Sequence, residues 1–139
     1  MDSSVIYFLA GVASVAVLLF VVILFTKKGP AALNQQKYQS AWLAIEIAFK
    51  KDQTSSYSMS VLEADKLLDK ALKERGFTGH TMGERMKSAQ KTWTNANAVW
   101  TAHKLRNKIA HETNVNVTYN AAAHALIAFK RGLKDLGAF

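Results

Sequence analysis

The feature that most constrains this chain is a run of 22 residues near its N-terminus, Val5 to Thr26, without a charged side chain. At about 1.5 Å per residue, a helix of this length reaches roughly 33 Å, enough to cross a hydrocarbon core of about 30 Å. A cleaved signal peptide would have a positive n-region and an apolar core of only about 7 to 15 residues. Residues 1–4 hold an acid, Asp2, and no cation. The run therefore predicts a transmembrane helix over residues 5–26.

The charges that flank this run predict its orientation. Lys27 and Lys28 follow it directly, and all 18 Lys and Arg residues lie at or beyond Lys27. The positive-inside rule then places residues 1–4 outside and the remainder of the chain in the cytoplasm. We expect a single-pass protein of the inner membrane, with the lipid bilayer as a partner. Residues 27–34, which contain Gly29-Pro30, form a short juxtamembrane linker.

The composition limits what residues 35–139 can be. They suffice for one small domain and are too few for two. The chain has no Cys, which excludes disulfides, thiolate metal sites and a Cys nucleophile. The sequence also lacks the local motifs of nucleotide-binding loops, serine hydrolases and zinc proteases, so that no metal site and no cofactor is predicted.

Residues 35–139 show helical periodicity and no useful run of period-two alternation. Five helices are predicted, over residues 35–51, Tyr57 to Arg75, Thr81 to about Lys91, Asn97 to Glu112, and Thr118 to Leu136. Gly76 is the C-terminal cap of the second. A capping box at Thr81-Met82-Gly83-Glu84 opens the third, which is short. The fold class is therefore all-α: an N-terminal transmembrane helix followed by a cytoplasmic up-and-down bundle of four or five helices.

Two acidic residues four apart, Asp65 and Asp69, share one face of the second predicted domain helix. Lysines alternate with them at Lys66, Lys70 and Lys73. This pattern favours a solvated, salt-bridged face over a pair of functional carboxylates.

Positive charge is concentrated between Arg85 and His111, where six cations and no Asp or Glu occur. A field of one sign attracts phosphate or an anionic membrane surface. The RNA-binding candidates in this stretch are Arg85, Lys87, Lys91, Lys104 and Lys108. A basic domain beside an anionic leaflet is an equally good interpretation.

The helix from Asn97 to Glu112 has two unusual sides. A stripe roughly 60° wide can pack into the bundle and consists of Ala98, Ala102, Leu105 and Ile109. The opposite side gathers Trp100, His103, Asn107 and His111 within about 80°. A large aromatic with three hydrogen-bonding residues is a poor solvent face, so it indicates a second interface or a site. For His103 and His111, which are eight residues apart, a structural hydrogen bond within the bundle is favoured over metal binding.

The segment from Leu105 to Glu112, LRNKIAHE, resembles the motif of the HEPN superfamily, in which an Arg and a polar residue precede a His. Here these residues are Arg106, Asn107 and His111. The stretches from Glu63 to Phe77 and from Thr81 to Arg85 also resemble membrane-tethered bacterial proteins with such a domain. The resemblance covers about residues 35–139. It implies a small up-and-down helical bundle that forms a dimer.

The resemblance also implies a function. Many HEPN domains are metal-independent ribonucleases in which the ribose 2′-OH attacks the adjacent phosphate. Carried over, His111 transfers the proton, Arg106 binds the phosphate and Asn107 orients the reacting groups. Arg106 and His111 are five residues apart and point about 140° away from each other on a straight helix. Either a homodimer through this helix, with Trp100 and His103 in the interface, or a bend near His111 would bring them together. The alternative is a non-catalytic module that docks an unknown protein partner at the membrane surface.

Overall fold

The computed structural model describes residues 2–26 and 30–139, which belong to two compact units, Met1–Pro30 and Ala31–Phe139. The predicted flank Lys27-Lys28 and the predicted helix break at Gly29 lie outside the described residues.

Helix α1 comprises Ser3–Thr26, and none of its residues is buried. The helix is long and apolar enough to cross a membrane, by length and composition, and an N-terminal signal sequence shares these properties. Two of its hydroxyl groups bond to the backbone one turn earlier, since Ser14 Oγ donates to Ala10 O and Thr26 Oγ1 donates to Val22 O. Such bonds let hydroxyls remain in an environment without water. The apolar helix predicted over residues 5–26 is confirmed.

The second unit contains five helices: α2 (Gln35–Ala48), α3 (Thr54–Glu74), α4 (Met82–Ser88), α5 (Ala96–His111) and α6 (Tyr119–Asp135). The described residues contain no strand. The predicted all-α fold, an apolar helix followed by a helical bundle, is confirmed.

Local capping fixes where most of these helices begin. The side chains of Asn34, Asn95 and Thr118 accept backbone N–H bonds at the starts of α2, α5 and α6. At α4 the predicted capping box is present, with Thr81 and Glu84 each bonded to the other's backbone N–H. These caps satisfy donors that a helix start leaves unpaired.

The core lies between α3 and α6, which form the most extensive helix pair, and α2 and α5 pack against α3. The inward face of α3 is fully buried at Val61, Ala64, Leu68, Ala71 and Leu72. From α6, Phe129 and Leu133 fill the same region. Trp93 closes one end of the core, and its indole N–H donates to Met86 O.

Two helices end earlier than predicted. Helix α2 stops at Ala48 rather than at residue 51, because Phe49 takes an extended backbone and stacks its ring on Tyr119 at a centroid distance of 5.0 Å. Helix α4 stops at Ser88 rather than near Lys91. In α2 a tertiary ring contact replaces the last helical turn that periodicity alone predicts.

Candidate functional site

A polar groove of about 720 Å³ lies where α3, α4 and α5 meet. Helix α3 supplies acidic residues and a lysine, α4 and the loop before it supply one wall, and α5 supplies the other. The residues that line it include Asp65, Asp69, Arg85, Trp100, His103, Lys104, Arg106 and Asn107.

A buried carboxylate and imidazole form the base of the groove. Asp65 is 2% exposed and His103 is 7% exposed. The distance from His103 Nδ1 to Asp65 Oδ1 is 2.7 Å. Because an ionised carboxylate can only accept hydrogen bonds, Nδ1 carries the proton and donates a hydrogen bond to Asp65. In the neutral ring Nε2 is then unprotonated and acts as an acceptor.

Arg106 and Asn107 close a ring of side chains around this pair. Arg106 Nε forms an ion pair with Asp65 Oδ2 at 3.1 Å, without the geometry of a hydrogen bond. Arg106 Nη1 donates to Asn107 Oδ1 at 3.0 Å, and Asn107 Nδ2 lies 3.3 Å from His103 Nε2. We call Asp65, His103, Arg106 and Asn107 the polar ring. Each member holds two others in position.

Asp65 is the residue of this site that the sequence pattern misassigned. Its alternation with lysines predicted a solvated face, and this prediction is wrong, since the carboxylate is buried and paired with His103 and Arg106. Asp69, one turn further along α3, does follow the prediction of a salt-bridged residue. It pairs with Lys73 at 2.7 Å and with Arg85 Nη2 at 2.7 Å.

The predicted RNA-binding cations do not form one surface around the groove. Three of the basic residues in that stretch line it, namely Arg85, Lys104 and Arg106. Arg85 is buried, and its guanidinium binds Asp69 and Gly79 O. Lys87, Lys91 and Lys108 are exposed elsewhere on the domain.

His111 lies apart from the other residues of the HEPN-like motif. It is the last residue of α5, is exposed, and is not among the residues that line the groove. A five-residue step along a straight helix turns the side chain about 140° away from Arg106. Within one chain, the imidazole that neighbours Arg106 and Asn107 is therefore that of His103.

The buried side of α5 is centred between the two sides that the sequence distinguished. The buried residues are Val99, Ala102 and His103, whereas Ala98 and Ile109 of the predicted inward stripe are only partly buried. The structural hydrogen bond predicted for His103 is present, and burial leaves little of its side chain for contact with a second chain. Trp100 is partly buried at the groove edge, 6.2 Å from His103 between ring centroids.

The charges of the side chains that line the groove nearly cancel. Four basic side chains line it, Lys66, Arg85, Lys104 and Arg106, against three acidic ones, Glu63, Asp65 and Asp69. Each guanidinium is paired with a carboxylate, so that Lys66 and Lys104 carry the excess positive charge. Among the described residues, no group of three or more His, Asp or Glu is arranged to hold a metal ion. A carboxylate-oriented imidazole beside an Arg is suited to proton transfer next to an anion.

Comparison of the chain with protein-family models, with curated proteins and with solved structures gave no match. The class defined by the fold is thus a helical bundle with an N-terminal helix that is able to span a membrane, and the HEPN-like nature of the bundle stays a prediction.

Proposed function

We propose that this protein is a membrane-anchored, HEPN-like ribonuclease that works without a metal ion and whose site is the polar groove. The observation that supports the proposal is the polar ring: an imidazole oriented by a buried carboxylate lies beside an Arg and an Asn of the predicted motif. The membrane anchor is α1, with the domain in the cytoplasm. In this proposal His103 takes the role that the motif alone gives to His111.

The reaction follows from the tautomer of His103. In the structure the Asn107 amide lies 3.3 Å from Nε2 and occupies its lone pair, so in this proposal the amide turns to the substrate when RNA binds. The freed Nε2 then accepts the proton of a ribose 2′-OH while the 2′ oxygen attacks the adjacent phosphorus. The bond from phosphorus to the 5′ oxygen breaks, and the leaving oxygen takes a proton from water. The hydroxide so formed takes the proton from the imidazolium, which returns His103 to the neutral ring. The products are a 2′,3′-cyclic phosphate and a 5′-OH. Asp65 stabilises the imidazolium, and Lys104 and Arg106 offset the charge that develops on the phosphoryl oxygens.

RNA cleavage by the full chain in detergent and EDTA tests this assignment. We expect His103→Gln to lower the cleavage rate by about 10²-fold to 10⁴-fold, the usual contribution of a general base. His111→Gln makes the same chemical change on an exposed residue of the same helix, and we expect it to retain activity. Far-UV circular dichroism of both variants controls for folding.

The two histidine variants would behave in the opposite way if His111 were the catalytic residue. Activity lost in His111→Gln and kept in His103→Gln would contradict the assignment and favour a composite site in a homodimer, as the motif implies. Mixing two inactive variants, Arg106→Ala and His111→Gln, would then restore activity, because each supplies what the other lacks.

A second function is a non-catalytic module that docks a protein at the membrane surface. The observation that favours it is the pairing of both guanidinium groups in the groove, Arg85 with Asp69 and Arg106 with Asp65. A cation paired with a carboxylate contributes less to phosphate binding than an unpaired one. Ion-pair networks of this kind also occur where their only role is to fix helix packing. Absence of cleavage across varied single-stranded and structured RNAs, with a folded wild-type chain, would make this the better account.

A further inference from the structure

Helix α2 carries an apolar face that no other described helix of the second unit covers. Leu43 is 54% exposed and Ile47 is 66% exposed, and Met59 of the adjacent α3 is 57% exposed. Ala44 and Ala48 fill the space between them and are also exposed. We call these five residues the apolar face. A soluble surface has scattered apolar residues, whereas a contiguous stripe of this kind marks a contact site.

The shape of the surface beside this face is that of an open groove. It runs between α2 and α3 and encloses about 710 Å³. Six apolar side chains, among them Ala44, Ala48 and Met59, line it together with seven polar or charged ones. Ser60 lines the groove as well, and its hydroxyl is buried without a hydrogen-bond partner among the described residues. The groove therefore continues the apolar face on to α3.

Positive charge surrounds the apolar face. Between residues 35 and 75, the exposed cations without a recorded ion pair are Lys37, Lys50, Lys51, Lys66 and Lys70. The exposed acids without one are Asp52, Glu63 and Glu74, the last of which accepts a hydrogen bond from Tyr38. An apolar stripe bordered by lysines is the pattern of helices that lie in a membrane interface, where each lysine near an anionic leaflet strengthens binding roughly fivefold.

The position of α2 in the chain supplies the partner. Helix α2 begins at Gln35, and the helix that is able to span a membrane ends at Thr26. The eight residues between them reach at most about 28 Å when fully extended. If α1 anchors the chain, a bilayer is thus held within reach of α2 at high effective concentration, which makes even a weak surface contact populated.

We propose that the apolar face binds the interface of an anionic bilayer, with Leu43, Ile47 and Met59 among the acyl chains and the lysines at the lipid phosphates. This contact uses no residue of the polar ring, and of its lysines Lys66 also lines the polar groove. It rests on α1 as a membrane anchor.

Site-directed spin labelling of the full chain tests this contact, because the chain has no Cys to be removed. Ile47→Cys carries the nitroxide on the apolar face, and Thr101→Cys carries it on the exposed side of α5 as the matched control. Each variant is reconstituted into vesicles of phosphatidylcholine alone or with one quarter phosphatidylglycerol, and flotation confirms incorporation. Collision with a water-soluble nickel chelate, present on both sides, is then compared with collision with oxygen.

In the anionic vesicles we expect the label at Ile47→Cys to collide with the nickel chelate at least about threefold less than the label at Thr101→Cys, as for an apolar face buried in the headgroup region. Charge reversal by Lys66→Glu with Lys70→Glu, or 0.5 M salt, should restore access to water. Equal access of both labels in anionic vesicles would overturn the proposal. So would protection of equal size in phosphatidylcholine alone, or dipolar broadening between labels at Ile47→Cys, which would show a second copy on this face.

Discussion

Replacing Asp65 with Asn removes one charge from the polar ring and leaves its shape. Asp65 is 2% exposed and accepts from His103 at 2.7 Å, while its second oxygen lies 3.1 Å from Arg106 Nε. The amide oxygen of Asn can still accept from His103. Its NH₂ group then faces the guanidinium, where a donor meets a donor.

The expected loss of stability follows from these contacts. Removing one partner of a buried ion pair costs about 3 to 5 kcal/mol, and a hydrogen bond to a charged group contributes about 1.5 to 3 kcal/mol. The side chain of Arg106 is 35% exposed, so water replaces part of what it loses. Because Asn keeps the bond from His103, we expect Asp65→Asn to lower the free energy of unfolding by about 2 to 4 kcal/mol.

Urea unfolding of the full chain in detergent measures this loss. All three Trp residues, Trp42, Trp93 and Trp100, lie in the domain, so their fluorescence reports its unfolding and not that of α1. Asp52→Asn makes the identical change at an exposed residue with no recorded partner, and we expect it to shift stability by no more than about 0.5 kcal/mol. If Asp65→Asn unfolds within 0.5 kcal/mol of wild type, a level typical of neutral surface changes, the polar ring contributes nothing to the fold.

Three further predictions use the same chain. Burial, with the bond to Glu74, raises the pKa of Tyr38 well above its usual range, so the native state keeps this proton longer than the unfolded state. The contribution of Tyr38 to the free energy of unfolding should be complete below about pH 10 and decrease as the pH rises further. In Tyr38→Phe, denaturant titrations should show a smaller decrease with pH. A decrease as steep as that of wild type would contradict the assignment to Tyr38. Gly76 has φ +81° with open space around it, so Gly76→Ala should lower the free energy of unfolding by about 1 kcal/mol. Gly83→Ala, within α4, should leave it unchanged or raise it in the same denaturant titrations. Protease added outside intact cells should leave the domain uncut; its digestion would refute the cytoplasmic placement.

The helices could be predicted from sequence because their signals are local. Thr81 and Glu84 are three residues apart, and Gly76 follows α3 directly, so cap and helix are read from one short window. The apolar residues of α3 recur on one side and are buried as their spacing requires. Phe49 shows the limit of such reasoning, because its partner Tyr119 is 70 residues away.

The polar ring could not be predicted, because its defining contact is not local. Asp65 and His103 are 38 residues apart and lie on different helices. When the partner is unknown, an Asp among lysines predicts a solvated residue. The polar side of α5 likewise predicts a face separate from the core. In the structure the side chains of His103 and Arg106 turn toward α3, since Asp65 is there to accept them. The separation of His111 from Arg106 is a local property, because five residues along one helix turn the side chain by about 140°. The structure places His111 apart from the groove, as this angle implies.

The most direct test of the ribonuclease proposal is the chemical identity of the products. An oligonucleotide with a single ribose in an otherwise deoxyribose strand is incubated with the full chain in EDTA, beside His103→Gln purified in the same way. We expect cleavage only at the ribose, with a 2′,3′-cyclic phosphate on one fragment and a 5′-OH on the other, and a rate about 10²-fold to 10⁴-fold lower with the variant. Fragments with 5′-phosphate ends, cleavage between deoxyriboses, or equal cleavage by wild type and His103→Gln would contradict a metal-independent site built on the polar ring.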